Sequence, residues 1–360
     1  MLIEICEDVI SELENDNPKA SEILEKVVLA YYYKKHLVKV SFVVVDKIKK
    51  SQTIEPNMKK WFLDISKNQS TKGSLYSKIS FHVKVTFKES SKKTSNYIIL
   101  NPETNIGFEL YEETHLLTEN LIDSEFFVNI VSYYLRMNKI KCKFNFFSLQ
   151  GGGNTIQKVY KKEQELMQHF CLTIIDSDVK YPNGERGDTC KSVIKIEENK
   201  PSFNCCYYVM EKVREIENLI PFHLIRQQSN YANNQIISKS LNLDLSFFDM
   251  KEGLIPAKLK DDSLYSYWKE QLEGNSIIEK ELDKCRDCCL KKQPPPTSKD
   301  CNIICNNKKI LSGFGNKLLE TITENAKTDL SNIVLNQLTP AQQIEWGNIG
   351  RIIFEWCCCT

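Results

Sequence analysis

Between residues 113 and 228 the chain alternates short apolar runs with stretches of helical spacing, and this alternation limits the folds open to it more than any other feature. "THLLT" is an apolar run that ends at Glu119. "DSEFFVNIVSYYLRM" keeps helical spacing through Phe126, Phe127, Ile130, Val131, Tyr134 and Leu135, with Asp123 or Ser124 as its N-cap. "KFNFFSL" reads as a second strand and runs into Gly151, Gly152 and Gly153. "NTIQKVYKKEQELMQHF" follows as a helix, and "FCLTII" as a buried strand that stops abruptly at Asp176 and Asp178. Strand, helix, strand, helix, strand predicts a parallel sheet with right-handed crossovers. Sites in such sheets lie beyond the carboxyl ends of the strands. Glu119, the triple glycine and the Asp176/Asp178 pair all fall there.

The residue types at that edge point to one chemistry. Hard divalent cations take carboxylate oxygens, and Mg²⁺ commonly combines one or two carboxylates with water and phosphate. Side-chain alternation puts Asp176 and Asp178 on one side of an extended backbone, able to reach one ion or to bridge two. Glycines at a strand end allow close approach of a phosphate and offer it backbone N–H groups. Lys158, Lys161 and Lys162 add positive charge on the next helix, and "VREIENLIP" supplies Glu215 and Glu217 after the apolar "CCYYVM". Two ions a few ångström apart would stabilise the attacking and leaving oxygens in phosphodiester hydrolysis. Taken singly, each piece has a plainer reading: a solvated turn, a polar helix start, a flexible glycine turn, or surface glutamates on an amphipathic helix.

In their order along the chain these segments resemble the Toprim domain, in particular the Toprim nucleases of the overcoming-lysogenization-defect family. "LLTENLIDSEFF" matches the glutamate that ends the first strand and the acid four residues later, here Glu119 and Asp123. "LTIIDSD" matches the Asp-x-Asp with Asp176 and Asp178, and "REIENLIP" places Glu217 at the last acidic position. The resemblance covers residues 113–228, and it departs from the family at Asn120, where a glycine usually follows the first glutamate. It implies an Mg²⁺- or Mn²⁺-dependent endonuclease acting on DNA or RNA in defence against phage. Glu119, Asp176 and Asp178 would be catalytic, and Glu119, Asp123, Asp176, Asp178 and Glu217 would hold metal. Gly151, Gly152, Gly153 and Lys158 are the candidate phosphate contacts. With no P-loop in the chain, the resemblance leaves room for a separate ATPase or sensor protein as partner. The alternative is a non-catalytic Toprim-like regulatory or interaction subunit of a defence complex.

The flanking regions are read from pattern alone. Residues 1–110 give helices at "EICEDVISELE" and "KASEILEKVVLAYYYKKH", then strands at "LVKVSFVVVD", "YSKISFHVKVTF" and "NYIILN", an α+β recognition or dimerisation domain. Residues 111–230 form the Toprim-like domain, and residues 231–360 a helical one. In the last, "CRDCC" and "CNIIC" place Cys285 and Cys288 across a loop from Cys301 and Cys305, the paired spacing of a structural thiolate Zn²⁺ site, with Cys289 spare. "NKLLETITENA" and "QQIEWGNIGRIIFEW" read as helices, with Trp356 in the core. His36, His82, His115, His169 and His223 form no close-spaced metal pair, and His115 reads as a packed or exposed neutral side chain. The 48 basic and 47 acidic residues nearly cancel, so any polyanion site must be local. No segment is apolar enough to span a bilayer. The N-terminus is acidic rather than signal-like, and the 14 cysteines then read as reduced thiols or ligands. The middle positions of the terminal "CCCT" are not aliphatic, against prenylation. The expectation is a cytoplasmic α/β protein with a central parallel sheet flanked by helices, no membrane partner, and room for an oligomer.

Overall fold

The computed structural model describes residues 1–105, 107–256, 259, 261–291 and 309–359. It divides into two compact units that do not follow the boundaries at 110 and 230: the first takes residues 1–175, 191–208 and 347–360, the second residues 176–190 and 209–346.

The first unit holds two sheets. Strand β1 (Leu2–Ile5) is followed by helices α1 (Glu7–Glu14) and α2 (Pro18–Tyr32), then β2 (Leu37–Val40), α3 (Phe42–Lys50), α4 (Pro56–Thr71), α5 (Gly73–Tyr76), β3 (His82–Val85), β4 (Lys92–Lys93) and β5 (Tyr97–Leu100). The sheet order is β2-β1-β3-β5-β4, parallel except for β4 against β5. Residues 1–110 are thus a mostly parallel layer rather than the α+β arrangement expected. Two segments differ from the sequence reading for identifiable reasons. Leu2–Ile5 is a central strand because both of its edges are paired, so helix α1 starts only at Glu7. "FVVVD" turns helical because Ser41 caps it, its Oγ accepting from the Val44 N–H at 3.2 Å. That helix buries Val44, Val45 and Ile48 and leaves Phe42 exposed.

The second sheet of this unit is built from β6 (His115–Thr118), α6 (Leu121–Met137), β7 (Lys143–Phe144), β8 (Phe147–Gln150), α7 (Ile156–Leu166), β9 (Cys171–Asp176), α8 (Asp188–Asn199) and β10 (Cys205–Met210). The last residues of β9 and β10 and the start of α8 count with the second unit. The order is β10-β9-β6-β8, and β6 runs parallel to both β8 and β9. The parallel pairing is as the alternation predicts; β8 lies on one side of β6 and β9 on the other. "KFNFFSL" makes two short strands instead of one, with β7 pairing Cys358–Cys359. Behind the sheets, Trp356 is 2% exposed, stacks on Phe81 at 5.4 Å and meets Phe170 edge-on at 6.4 Å.

The second unit is mainly short helices and turns, among them Phe222–Gln227, Asp262–Gln271 and Leu318–Asn325, with a two-stranded ladder of Gly253–Leu254 against Leu311–Ser312. Cys285 and Cys288 lie on a helix, Ser276–Lys291, and not on the tight turn expected of a chelating pair; Cys285 is buried. Cys301 and Cys305 lie outside the described residues.

Candidate functional site

The residues singled out by sequence fall in both units. In the first unit, Glu119 directly follows β6 and is half-buried. Asp123 is 6% exposed and accepts from the Asn120 N–H at 2.8 Å, so it fixes the backbone where helix α6 starts. Asn120, which stands where the family has glycine, has φ −129°. That is ordinary extended backbone, and no glycine is required there.

The glycine loop is not the phosphate cradle expected. The Gly151 N–H donates to the Thr118 carbonyl at 2.7 Å and the Gly152 N–H to the Glu119 carbonyl at 2.9 Å. Two of the three amides are therefore spent on joining β8 to the end of β6. The glycines answer to geometry instead. A Cβ on Gly151 would lie 2.5 Å from the Ile156 side chain, and Gly152 has φ +69°. Lys158 is exposed on α7.

In the second unit a compact set of acids surrounds one lysine. Asp176 is half-buried, and its Oδ1 accepts from the Ile216 N–H at 3.0 Å. Asp178 has φ +55°, so the extended backbone ends before it and the alternation argument for the pair fails. It is placed instead by its own N–H, which donates to the Arg214 carbonyl at 2.9 Å, and by Ser177, whose hydroxyl donates to the Val213 carbonyl at 2.8 Å. Glu215 caps a 3₁₀ turn, Ile216–Leu219, and Glu217 lies within it; both are buried, unlike the surface glutamates of an amphipathic helix. Glu215 Oε1 accepts from the Met250 N–H at 2.9 Å. Lys251 Nζ lies 3.0 Å from Glu217 Oε1 and 3.4 Å from Glu215 Oε2. The second oxygen of Glu217, Oε2, is buried with no hydrogen-bond partner among the described residues. Beside the cluster, Arg214 Nη2 pairs with Asp249 Oδ2 at 2.7 Å.

Lys251 faces both glutamates, and Arg214 adds its charge to the field at Glu215. Burial raises the Glu217 pKa above its ordinary value, and the nearby Glu215 charge raises it further. Burial raises that of Glu215 as well. For Lys251 burial acts downward, but Glu217, Glu215 and Asp176 outweigh it and hold the ammonium charged. The cluster thus holds two glutamates whose ionised forms burial disfavours, and an unsatisfied buried oxygen. An added cation would relieve both, and oxygen-only donors suit a hard ion.

Lys251 is the member that sequence reasoning missed. It lies 34 residues beyond Glu217 in no recognisable pattern, and only packing brings it in. The histidines form no close-spaced pair in sequence, yet the fold brings two of them together. His115 and His169 lie with Glu163 in one group in the first unit whose ligand atoms are all within 4.8 Å of one another. No protein-family model, curated protein or solved structure matches the chain.

Proposed function

We propose that the protein is a metal-dependent phosphodiester hydrolase acting on DNA or RNA, with Asp176, Asp178 and Glu217 as the carboxylates that hold Mg²⁺ or Mn²⁺. The observation that carries this reading is the buried Glu217 Oε2, which has no hydrogen-bond partner among the described residues and lies beside a second buried glutamate, Glu215. A bound ion would supply electrostatic stabilisation of charge developing on phosphate oxygens. The chain's own residues prepare the place: Arg214 and Ser177 fix Asp178, the Ile216 amide orients Asp176, and Lys251 keeps Glu215 and Glu217 in register. The sequence resemblance implies Glu119, in the first unit, as ligand or base, and Asp123, in the same unit, as a group that helps to hold or orient an ion. It also suggests a role in defence against phage, alongside a separate ATPase or sensor protein. No helix among the described residues is long and apolar enough to cross a membrane.

A second reading has its own observation. Lys251 bridging Glu215 and Glu217 is also what a structural lock would look like, and a protein so built would serve as a non-catalytic regulatory or interaction subunit. Purified chain incubated with plasmid DNA, single-stranded DNA and RNA, in Mg²⁺, Mn²⁺ or chelator, separates the two. Hydrolysis requires cleavage that chelator abolishes. Asp178→Asn and Glu217→Gln should each reduce it more than about 100-fold, beyond the 10–100-fold typical of residues that only support a ligand. Glu119→Gln tests the part that the resemblance assigns to the first unit. Cleavage that survives both changes in the second unit removes the carboxylate reading. No cleavage of any substrate leaves the regulatory one.

A further inference from the structure

We propose that His115, Glu163 and His169 form a binding site for one first-row transition-metal ion of the Zn²⁺ type. The inference does not depend on the hydrolase reading. Three elements of the first unit supply the ligands: His115 opens β6, Glu163 projects from α7, and His169 precedes β9. Their ligand atoms all lie within 4.8 Å of one another. Around a tetrahedral ion with bonds of about 2.0–2.1 Å, ligand atoms sit about 3.3 Å apart, so small side-chain rotations suffice. His115 Nδ1 is already 2.9 Å from Glu163 Oε2, and the two imidazoles stack with centroids 4.3 Å apart at 24°.

The surroundings hold this geometry in place. Asn204 donates from one amide nitrogen to the carbonyls of both Glu163 and His169, at 3.1 and 2.8 Å, and so ties two of the ligand segments together. Parallel register fixes the third, with His115 opposite Cys171 on one side and Phe147 on the other. The Phe147 ring lies 5.2 Å from that of His115 and covers it. Burial, and then the neighbouring His115, lower the pKa of His169, which favours the neutral imidazole a metal requires.

The donor set selects the metal. Two imidazoles and one carboxylate suit Zn²⁺, Co²⁺, Ni²⁺ or Fe²⁺ and are poor for Mg²⁺ or Ca²⁺. Three protein ligands would leave a position open, and both histidines are half-buried. The site is also distinct from the Glu119 end. His115 and Glu119 stand at opposite ends of β6, and four steps of extended chain span about 13 Å.

The test uses the whole chain stripped of metal with chelator and titrated with Co²⁺ and Zn²⁺. Co²⁺ at this site should give visible ligand-field absorption without the sulfur-to-metal charge-transfer bands that cysteine ligands produce. His169→Ala should lose that equivalent, and Glu163→Gln should bind it at least about tenfold more weakly. A second readout needs no variant. Of the five histidines, Zn²⁺ should shift the ring NMR signals of His115 and His169 at one equivalent. Ring signals of these two that do not move, or equal binding by the parent and His169→Ala, would overturn the site and leave only a stacked, hydrogen-bonded histidine pair.

Discussion

At the scale of single residues, the sharpest consequence concerns Glu217. Its carboxyl is held above the ordinary value of 4.5 by burial and by Glu215. A carboxyl raised on folding binds its proton more tightly in the folded state, so it favours folding below its unfolded pKa and loses that advantage as pH rises through the folded pKa. Glu217→Gln, which never ionises, escapes the loss. The variant should therefore match the parent in urea unfolding near pH 4 and exceed it near pH 7. A parent that is the more stable at pH 7 would mean that Lys251 fully compensates Glu217. Metal affinity should move the opposite way, falling in the variant, as expected where a site keeps an ionised group at some cost to stability. The acid types were legible in the sequence because carboxylates at strand ends have a limited set of uses. Lys251 was not, since nothing in local pattern marks a cation that arrives by packing.

At the scale of elements, the turn around Asp178 shows how glycine and strand end cooperate. A Cβ on Gly187 would fall 2.4 Å from Asp178 Oδ2 and 2.6 Å from its Cβ, while the Gly187 N–H donates to the Ser177 carbonyl at 2.8 Å. Gly187→Ala should therefore displace Asp178 without altering any acid. If the second-unit carboxylates carry hydrolysis, turnover should drop about 100-fold, the cost of a misplacement near 1 Å. Unchanged turnover in a folded Gly187→Ala protein would put Asp178 outside the chemistry. Apolar periodicity made α6, α7 and β9 readable, because each buries one continuous face or run. It failed at "FVVVD" and at Leu2–Ile5, where β-branched residues suit either state; a serine cap decided the first and two flanking strands the second.

At the scale of the whole molecule, residues 347–360 belong to the first unit although 138 residues of the second precede them directly (209–346). Trp356 anchors that return through Phe81 and Phe170, and its carbonyl accepts from the buried Thr114 hydroxyl at 2.6 Å. Trp356→Ala should cost about 3–5 kcal/mol in chemical denaturation. A loss under about 1 kcal/mol would show that the C-terminal segment does not hold the unit together. The sequence by itself determined the parallel sheet around Glu119, the order of its strands and helices along the chain, and the placing of acids at strand ends, because periodicity and strand-end chemistry act over a few residues. Tertiary structure alone decided the division into two units, the gathering of His115 with His169 and Glu163, the loss of the Gly151 and Gly152 amides to the carbonyls of Thr118 and Glu119, and the seat of Lys251 among the carboxylates. Each of these joins segments far apart along the chain, and such pairings are selected by burial and by satisfying polar groups across the whole fold, for which a local pattern carries no record.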